Sequence, residues 1–148
     1  MNPAVNIHRN LATATEISVH LRACDLAFVP ALSERIEIDA YAAKIAALAE
    51  RFEAWSDQAL IGMVAAYCND PDSRVAFVTS VSVVPQQQGL GIASQLLRQC
   101  IEHVRPLGFE RIELEVDRQN TAATVLYRRH GFSVSVLRER TETLNLTL

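Results

Sequence analysis

Residues 75–107 place the tightest constraint on what this chain can fold into. Val81-Ser82-Val83-Val84 closes a β-branched run, Pro85 stops it, and Gln86-Gln87-Gln88 makes a polar turn. Gly89 and Gly91 then lead into Ile92, Leu96, Leu97, Cys100, Ile101 and Val104, which recur at helical spacing. A helix entered through small residues has unpaired N–H groups in its first turn, with the positive end of the helix dipole behind them. A phosphate can be held there by main chain alone, and the glycines allow it to come close.

Three phosphate-binding readings compete for this turn. A Walker loop needs Lys and Ser/Thr after its last glycine, but Gly91 is followed by Ile92 and Ala93. A dinucleotide fingerprint would put its third small residue at Ser94 and would open the first βαβ unit, whereas a strand hairpin precedes this turn. The third reading is an acyl-CoA loop. Gln88-Gly89-Leu90-Gly91-Ile92-Ala93 fits the pattern Q/R-x-x-G-x-G/A and resembles the pyrophosphate loop of the GCN5-related N-acetyltransferases, the GNAT superfamily. Against all three stands the plainer possibility of a tight strand-to-helix connection without a ligand.

A second block carries the same resemblance. Asn120-Thr121-Ala122-Ala123-Thr124-Val125-Leu126-Tyr127-Arg128-Arg129-His130-Gly131-Phe132 looks like the family segment N-x-x-A-x-x-L-Y-x-x-x-G-F, with each position filled. The resemblance covers about residues 60 to 132.

Along the chain, Val5 to His8 can form a short edge strand, and Thr13 to Glu16 has the form of a capping box opening a helix over about 14–24. Ile17, Leu21 and Cys24 share one face of that helix. Asp25 to Ser33 reads as a loop with apolar anchors, and Asp39 as the cap of a second helix burying Tyr41, Ile45 and Leu48. Arg51–Ser56 and Ala59–Cys68 are strands about an Asp57-Gln58 turn, a further turn spans 69–73, and Val75–Val84 is the third strand of this run. After the helix that ends at Leu107-Gly108, Arg111–Asp117 is a strand in which Glu113 and Glu115 share one side. Asn120–His130 is a short helix, and segments 132–137 and 142–148 form a terminal hairpin.

The resemblance implies a mixed α/β (α+β) fold for this order of elements. Its sheet would have six or seven mostly antiparallel strands with flanking helices, and strands 75–84 and 111–117 would be a central parallel pair splayed at the cofactor. Residues 1–148 are expected to form a single domain, since half the residues are apolar and no linker or repeat interrupts them.

The same resemblance implies acetyl-CoA as cofactor and a direct transfer of its acetyl group to an amine. The pyrophosphate would lie on Gln88, Gly89, Leu90, Gly91, Ile92, Ala93 and Ser94, and the pantetheine arm along Val81, Ser82 and Val83, one of whose N–H groups would meet the thioester oxygen. Asn120 would also touch the cofactor. Tyr127 is the candidate general acid for the departing thiolate: a phenol with a pKa of about 10 stays protonated at neutral pH. The alternative for Tyr127 is a half-buried tyrosine with a hydrogen-bonded hydroxyl. Glu115 is the first choice for general base, at the spacing from Asn120 and Tyr127 that resembles the ribosomal-protein N-terminal acetyltransferases of the superfamily. Partial burial beside an apolar arm would raise its proton affinity. Glu113 is the rival, a solvated strand face or an ion pair is the alternative role for either, and some family members use no side-chain base.

The acceptor is expected to be a small-molecule primary amine, with a protein N-terminus or lysine, or a non-catalytic acyl-CoA sensor, as alternatives. A net charge of −3 without clustered cations argues against a nucleic-acid partner. No apolar stretch reads as a membrane span or a leader, which makes the cytoplasm the expected compartment. Cys24, Cys68 and Cys100 read as small buried residues, and no His or Cys spacing suggests a metal. His20 and His130 read as surface residues, while Tyr67 and Cys68 are candidates for the acceptor pocket. Exposed edges in the terminal hairpin are compatible with a homodimer.

Overall fold

The computed structural model describes residues 4–70 and 72–148; residues 1–3, and Pro71 of the expected 69–73 turn, lie outside the described residues. The expected N-terminal edge strand is β1 (Asn6–Arg9). Thr13 then opens α1 (Ala14–Cys24): its hydroxyl accepts from the Glu16 N–H at 3.2 Å, while Glu16 Oε1 accepts from the Thr13 N–H at 3.0 Å. Ile17, Leu21 and Cys24 are buried as the spacing predicts.

The second helix, α2 (Ile38–Leu48), corrects two expectations. Glu37, not Asp39, caps it by accepting from the Asp39 and Ala40 N–H groups, and Asp39 instead bonds Ser18 Oγ and Arg22 on α1. Entry at Glu37 moves the buried stripe to Ile38, Ala42 and Ile45, leaving Leu48 53% exposed.

β2 (Glu50–Ser56) and β3 (Ala59–Tyr67) are joined by Asp57 and Gln58, at φ 50° and 63°, the geometry of a two-residue hairpin turn. β4 (Val75–Val83) follows, then α3 (Ile92–Val104), β5 (Arg111–Asp117), α4 (Thr121–Arg129), β6 (Ser133–Leu137) and β7 (Thr141–Thr147). They build one seven-stranded sheet in the order β1-β2-β3-β4-β5-β7-β6. Among the described residues only the β4–β5 pair is parallel.

That parallel pair is short. Val75, Ala76 and Phe77 pair with Arg111, Ile112 and Glu113, and the strands part beyond them. Two features drive them apart. β4 bulges against β3, so that Ala65 and Ala66 face Ser80 and Val78 with Thr79 extra, and a bulge bends its strand. β5 meanwhile pairs along its whole length with β7. Tyr41 of α2 holds the bulge from the side, donating to the Thr79 carbonyl at 2.7 Å.

Each sheet face has its own core. Val64, Leu96, Leu97, Ile112, Leu114 and Leu144 pack under α3 and α4, and Ile17, Leu21, Ile45, Met63 and Ala65 pack under α1 and α2. The buried Glu53 carboxylate ties the start of the chain to the sheet, accepting from the Leu11 and Ala12 N–H groups, Trp55 Nε1 and Arg51 Nε. Among the described residues no helix is long and apolar enough to cross a membrane.

Candidate active site

Where β4 and β5 part, a cavity of about 660 Å³ opens between the two helical layers. Of the residues singled out from sequence, Val81, Ser82, Val83, Gln88, Gly89, Gly91, Ile92, Ala93, Ser94, Glu115, Asn120 and Tyr127 all line it. Leu90 does not: its side chain is 63% exposed, so only its main chain is available to a ligand in the turn.

The floor at the α3 end has the form of an anion cradle. Gly89 and Gly91 stand at φ 80° and 82°, a backbone region that costs a side-chain-bearing residue free energy, and beyond their own chain neighbours no heavy atom lies within 4 Å of where their Cβ atoms would be. The helix's first internal bond runs from the Gln95 N–H to the Gly91 carbonyl at 3.0 Å, so the N–H groups of Ile92, Ala93 and Ser94 precede the ladder. Ser94 Oγ lies 2.9 Å from His130 Nε2, linking this turn to the end of α4. His130 is half-buried rather than on the surface, and desolvation, with Arg98 adding, pushes its pKa below the ordinary value.

One wall is the free edge of β4. The Val84 N–H bonds the Ile61 carbonyl of β3 at 2.9 Å. Peptide groups of successive strand residues point to opposite neighbours, so those of Val83 and Val81 point into the gap. The Gln88 amide donates to the Val83 carbonyl at 3.2 Å, which leaves the Val83 N–H on the open edge. An amide-rich chain laid in the gap would meet β4 as an added strand.

Tyr127 enters from α4. Asn120 caps that helix by accepting from the Ala123 N–H at 3.2 Å, and the Tyr127 ring is held edge-on to Phe132 with centroids 6.1 Å apart. The residue is 8% exposed, and among the described residues its hydroxyl has no protein partner, unlike the hydrogen-bonded tyrosine of the alternative reading. Desolvation pushes its pKa up to about 12, so the phenol holds its proton throughout the neutral range.

Across the gap, Glu115 lines the cavity but is not partly buried as expected: its side chain is 56% exposed. β5 buries its other face against α3 and α4 and leaves this side open, with Arg138 3.8 Å away. Glu113 pairs with Phe77 at the closed end of the parallel pair and does not line the cavity. Tyr67 and Cys68 also lie at that end, outside the cavity, which removes them as pocket residues.

Sequence reasoning missed two sets of residues. Phe28, Val29 and Arg35, from the connection between α1 and α2, close the cavity on the side away from α3. The resemblance implies that the loop from Asp25 to Asp39 shapes the acceptor site, but only the apolar character of Phe28 and Val29 singled out residues within it, and Arg35 carried no such signal. His20, expected at the surface, is 2% exposed because it falls on the inward face of α1 between Ile17 and Cys24. It bonds the Leu60 carbonyl and Ser82.

A main-chain anion cradle, an unpaired strand edge and a phenol without a protein partner among the described residues line one cavity, an arrangement suited to a long phosphorylated thioester. Residues 18–132 match the Acetyltransferase (GNAT) family, and the chain belongs to it.

Over 86 residues the chain is 34% identical to the mycothiol acetyltransferase of Geodermatophilus obscurus, a match covering 55% of this chain and 28% of that protein. It therefore spans less than a third of that curated relative. Among solved structures it resembles YncA of Salmonella typhimurium with its cofactor acetyl-CoA, at TM-score 0.75 and 18% identity over 98% of this chain and 94% of the other. It also resembles the ribosomal-protein-S18-alanine N-acetyltransferase of Escherichia coli, at TM-score 0.73 and 19% identity over 97% and 94%. At such identities the shared property is the fold.

Proposed function

We propose that this chain is a single-domain N-acetyltransferase that moves the acetyl group of acetyl-CoA directly to a primary amine of a small molecule. Tyr127 protonates the departing thiolate, and Glu115 takes the amine's proton directly or through water. The observation that carries the reading is Tyr127: a residue only 8% exposed that lines the cavity where β4 and β5 part, with no protein partner for its hydroxyl among the described residues.

Acetyl-CoA supplies an activated thioester, and the chain does the rest. The glycine turn and the first N–H groups of α3 hold negative charge, and the Val81 and Val83 N–H groups lie along the gap to polarise a carbonyl. Tyr127 reaches the gap from one helical layer. Glu115 faces the other side of the sheet, where Phe28, Val29 and Arg35 bound a space for the acceptor. An acid and a base on opposite sides of the reacting carbonyl suit a direct transfer, in which the two proton movements do not compete.

Two things favour a small acceptor. The cavity is bounded by the α1–α2 connection rather than opening as a long peptide groove. The curated relatives it matches are named mycothiol acetyltransferases, a name that refers to no protein acceptor.

The test is titration of the protein with acetyl-CoA, followed by thiol release against a panel of small amines, peptides with free N-termini and lysine peptides. Release with small amines and not with peptides supports the proposal. Release confined to peptides overturns the acceptor class, and acetyl-CoA binding without release from any amine overturns the enzymatic reading.

A further inference from the structure

Ser80 and Ser82 project from β4 toward the α1/α2 side of the sheet, the side on which the proposed acceptor space lies. Ser82 is 6% exposed and lines the cavity. Its hydroxyl is not free to orient at will. Ser82 Oγ lies 2.8 Å from His20 Nε2, and His20 Nδ1 lies 2.9 Å from the Leu60 carbonyl oxygen.

A carbonyl oxygen can only accept, so Nδ1 carries the imidazole proton at this contact. Burial lowers the His20 pKa to about 4, so at neutral pH the ring is uncharged and Nε2 is an acceptor. The hydrogen between Nε2 and Ser82 therefore belongs to the serine. Cys24 Sγ, 3.7 Å from the same nitrogen, is the other neighbour, a weak donor. Burial pushes that thiol up to about 12, and it stays neutral. A hydroxyl whose single proton is committed to His20 presents only lone pairs to anything else.

We infer that Ser82 Oγ, with its proton held by His20, accepts a hydrogen bond from the N–H of the acceptor amine that is retained through transfer. Ser82 touches the substrate, and His20 is a positioning residue acting through it. The inference rests on the amine-transfer reading above and adds a selection rule to it. A primary amine has two N–H bonds when neutral: one is given up to the base, and the other survives in the product amide. A secondary amine has one, which must be given up, so it cannot keep the Ser82 contact through the reaction. The site thus discriminates against N-methylated acceptors through a missing hydrogen as well as through bulk.

The experiment uses the full chain, a free primary amine from the panel that the wild type acetylates, and the N-methyl analogue of that amine. Ser82→Ala is expected to raise KM for the primary amine by about tenfold and to shrink the primary-to-N-methyl ratio of kcat/KM by a similar factor. His20→Leu should reproduce both changes, the double variant should be no worse than either single one, and His20→Gln, which can still accept from Ser82, should recover most of the loss. Independently of turnover, 15N spectra of the imidazole should show the Nδ1–H tautomer of His20 at neutral pH. An Nε2–H tautomer, or a Ser82→Ala enzyme that keeps its amine KM and its preference for primary amines, overturns the inference while leaving acetyl transfer intact. A wild-type protein that binds acetyl-CoA yet acetylates no amine overturns the functional reading, and this inference falls with it.

Discussion

Gly62 of β3 lies directly beneath Ile92, the first residue of α3: a Cβ at Gly62 would stand 2.9 Å from Ile92 Cγ2 and 3.4 Å from Leu96 Cδ1. The sheet and the cofactor turn are thus in contact through a position that only a hydrogen atom fits. Gly62→Ala must displace Ile92, and with it the N–H groups that open the helix. The expected result is a loss of about 1–3 kcal/mol in unfolding free energy and a several-fold weaker acetyl-CoA affinity, the latter read by calorimetry on the folded variant. Unchanged affinity would separate the glycine turn from the packing beneath it.

Tyr127→Phe removes one oxygen and leaves the ring packed on Phe132. If Tyr127 is the proton donor, kcat falls by roughly 10²-fold or more while acetyl-CoA binding is retained. With its pKa pushed up to about 12, loss of its proton cannot account for a fall in rate below pH 10. A stopped assay of thiol release from pH 6 to 10 tests both points. An enzyme whose kcat is indifferent to the substitution has its thiolate protonated by solvent.

Glu53 and Arg51 form a buried ion pair at 3.1 Å, with side chains 0% and 7% exposed. The carboxylate also holds two main-chain N–H groups at the start of the chain and the Trp55 indole. Glu53→Ala would leave the guanidinium with the Ala12, Ala46 and Ala49 carbonyls but without its counter-charge, and three further donors without their acceptor, a loss of about 3–5 kcal/mol. Urea unfolding measures it. A change below about 1 kcal/mol would mean that water replaces the carboxylate.

Most of the fold was legible because its elements are local. The capping box at Thr13, the two-residue turn at Asp57-Gln58, the glycine turn and the alternation through Arg111–Asp117 each depend on a few adjacent residues. The motif positions of the site were legible for the same reason, and the cavity gathers them. What escaped was set by distant packing. Asp39 and Glu37 are both plausible caps in sequence, and the choice is made by Ser18 and Arg22 of another helix drawing Asp39 away. Glu115 was expected to be partly buried, yet it stands on the face of β5 turned away from the Ile112 and Leu114 core, a fact of layer arrangement that no spacing records. His20 was read as a surface residue although it shares the inward helix face of Ile17, Leu21 and Cys24; the partners that satisfy its buried ring, Leu60 and Ser82, lie forty and sixty-two residues away.

His20 also gives the protein a specific sensitivity to acid. Its pKa in the fold is about 4, below the ordinary value of 6.5, because burial disfavours the imidazolium more than the Leu60 carbonyl helps it. Above pH 6.5 the ring is neutral in the folded and unfolded chains, and it costs nothing. Between 6.5 and 4 the unfolded chain takes up a proton that the folded chain refuses, so stability falls as the pH falls, by up to about 3 kcal/mol from this group alone, and levels off below 4. His20→Gln keeps a donor for Leu60 and an acceptor for Ser82 but cannot titrate. Urea midpoints for the two proteins should therefore draw together between pH 7 and pH 4, the wild type losing more than the variant. Parallel losses in both would place the acid-labile proton on another group and remove the argument that His20 is held neutral.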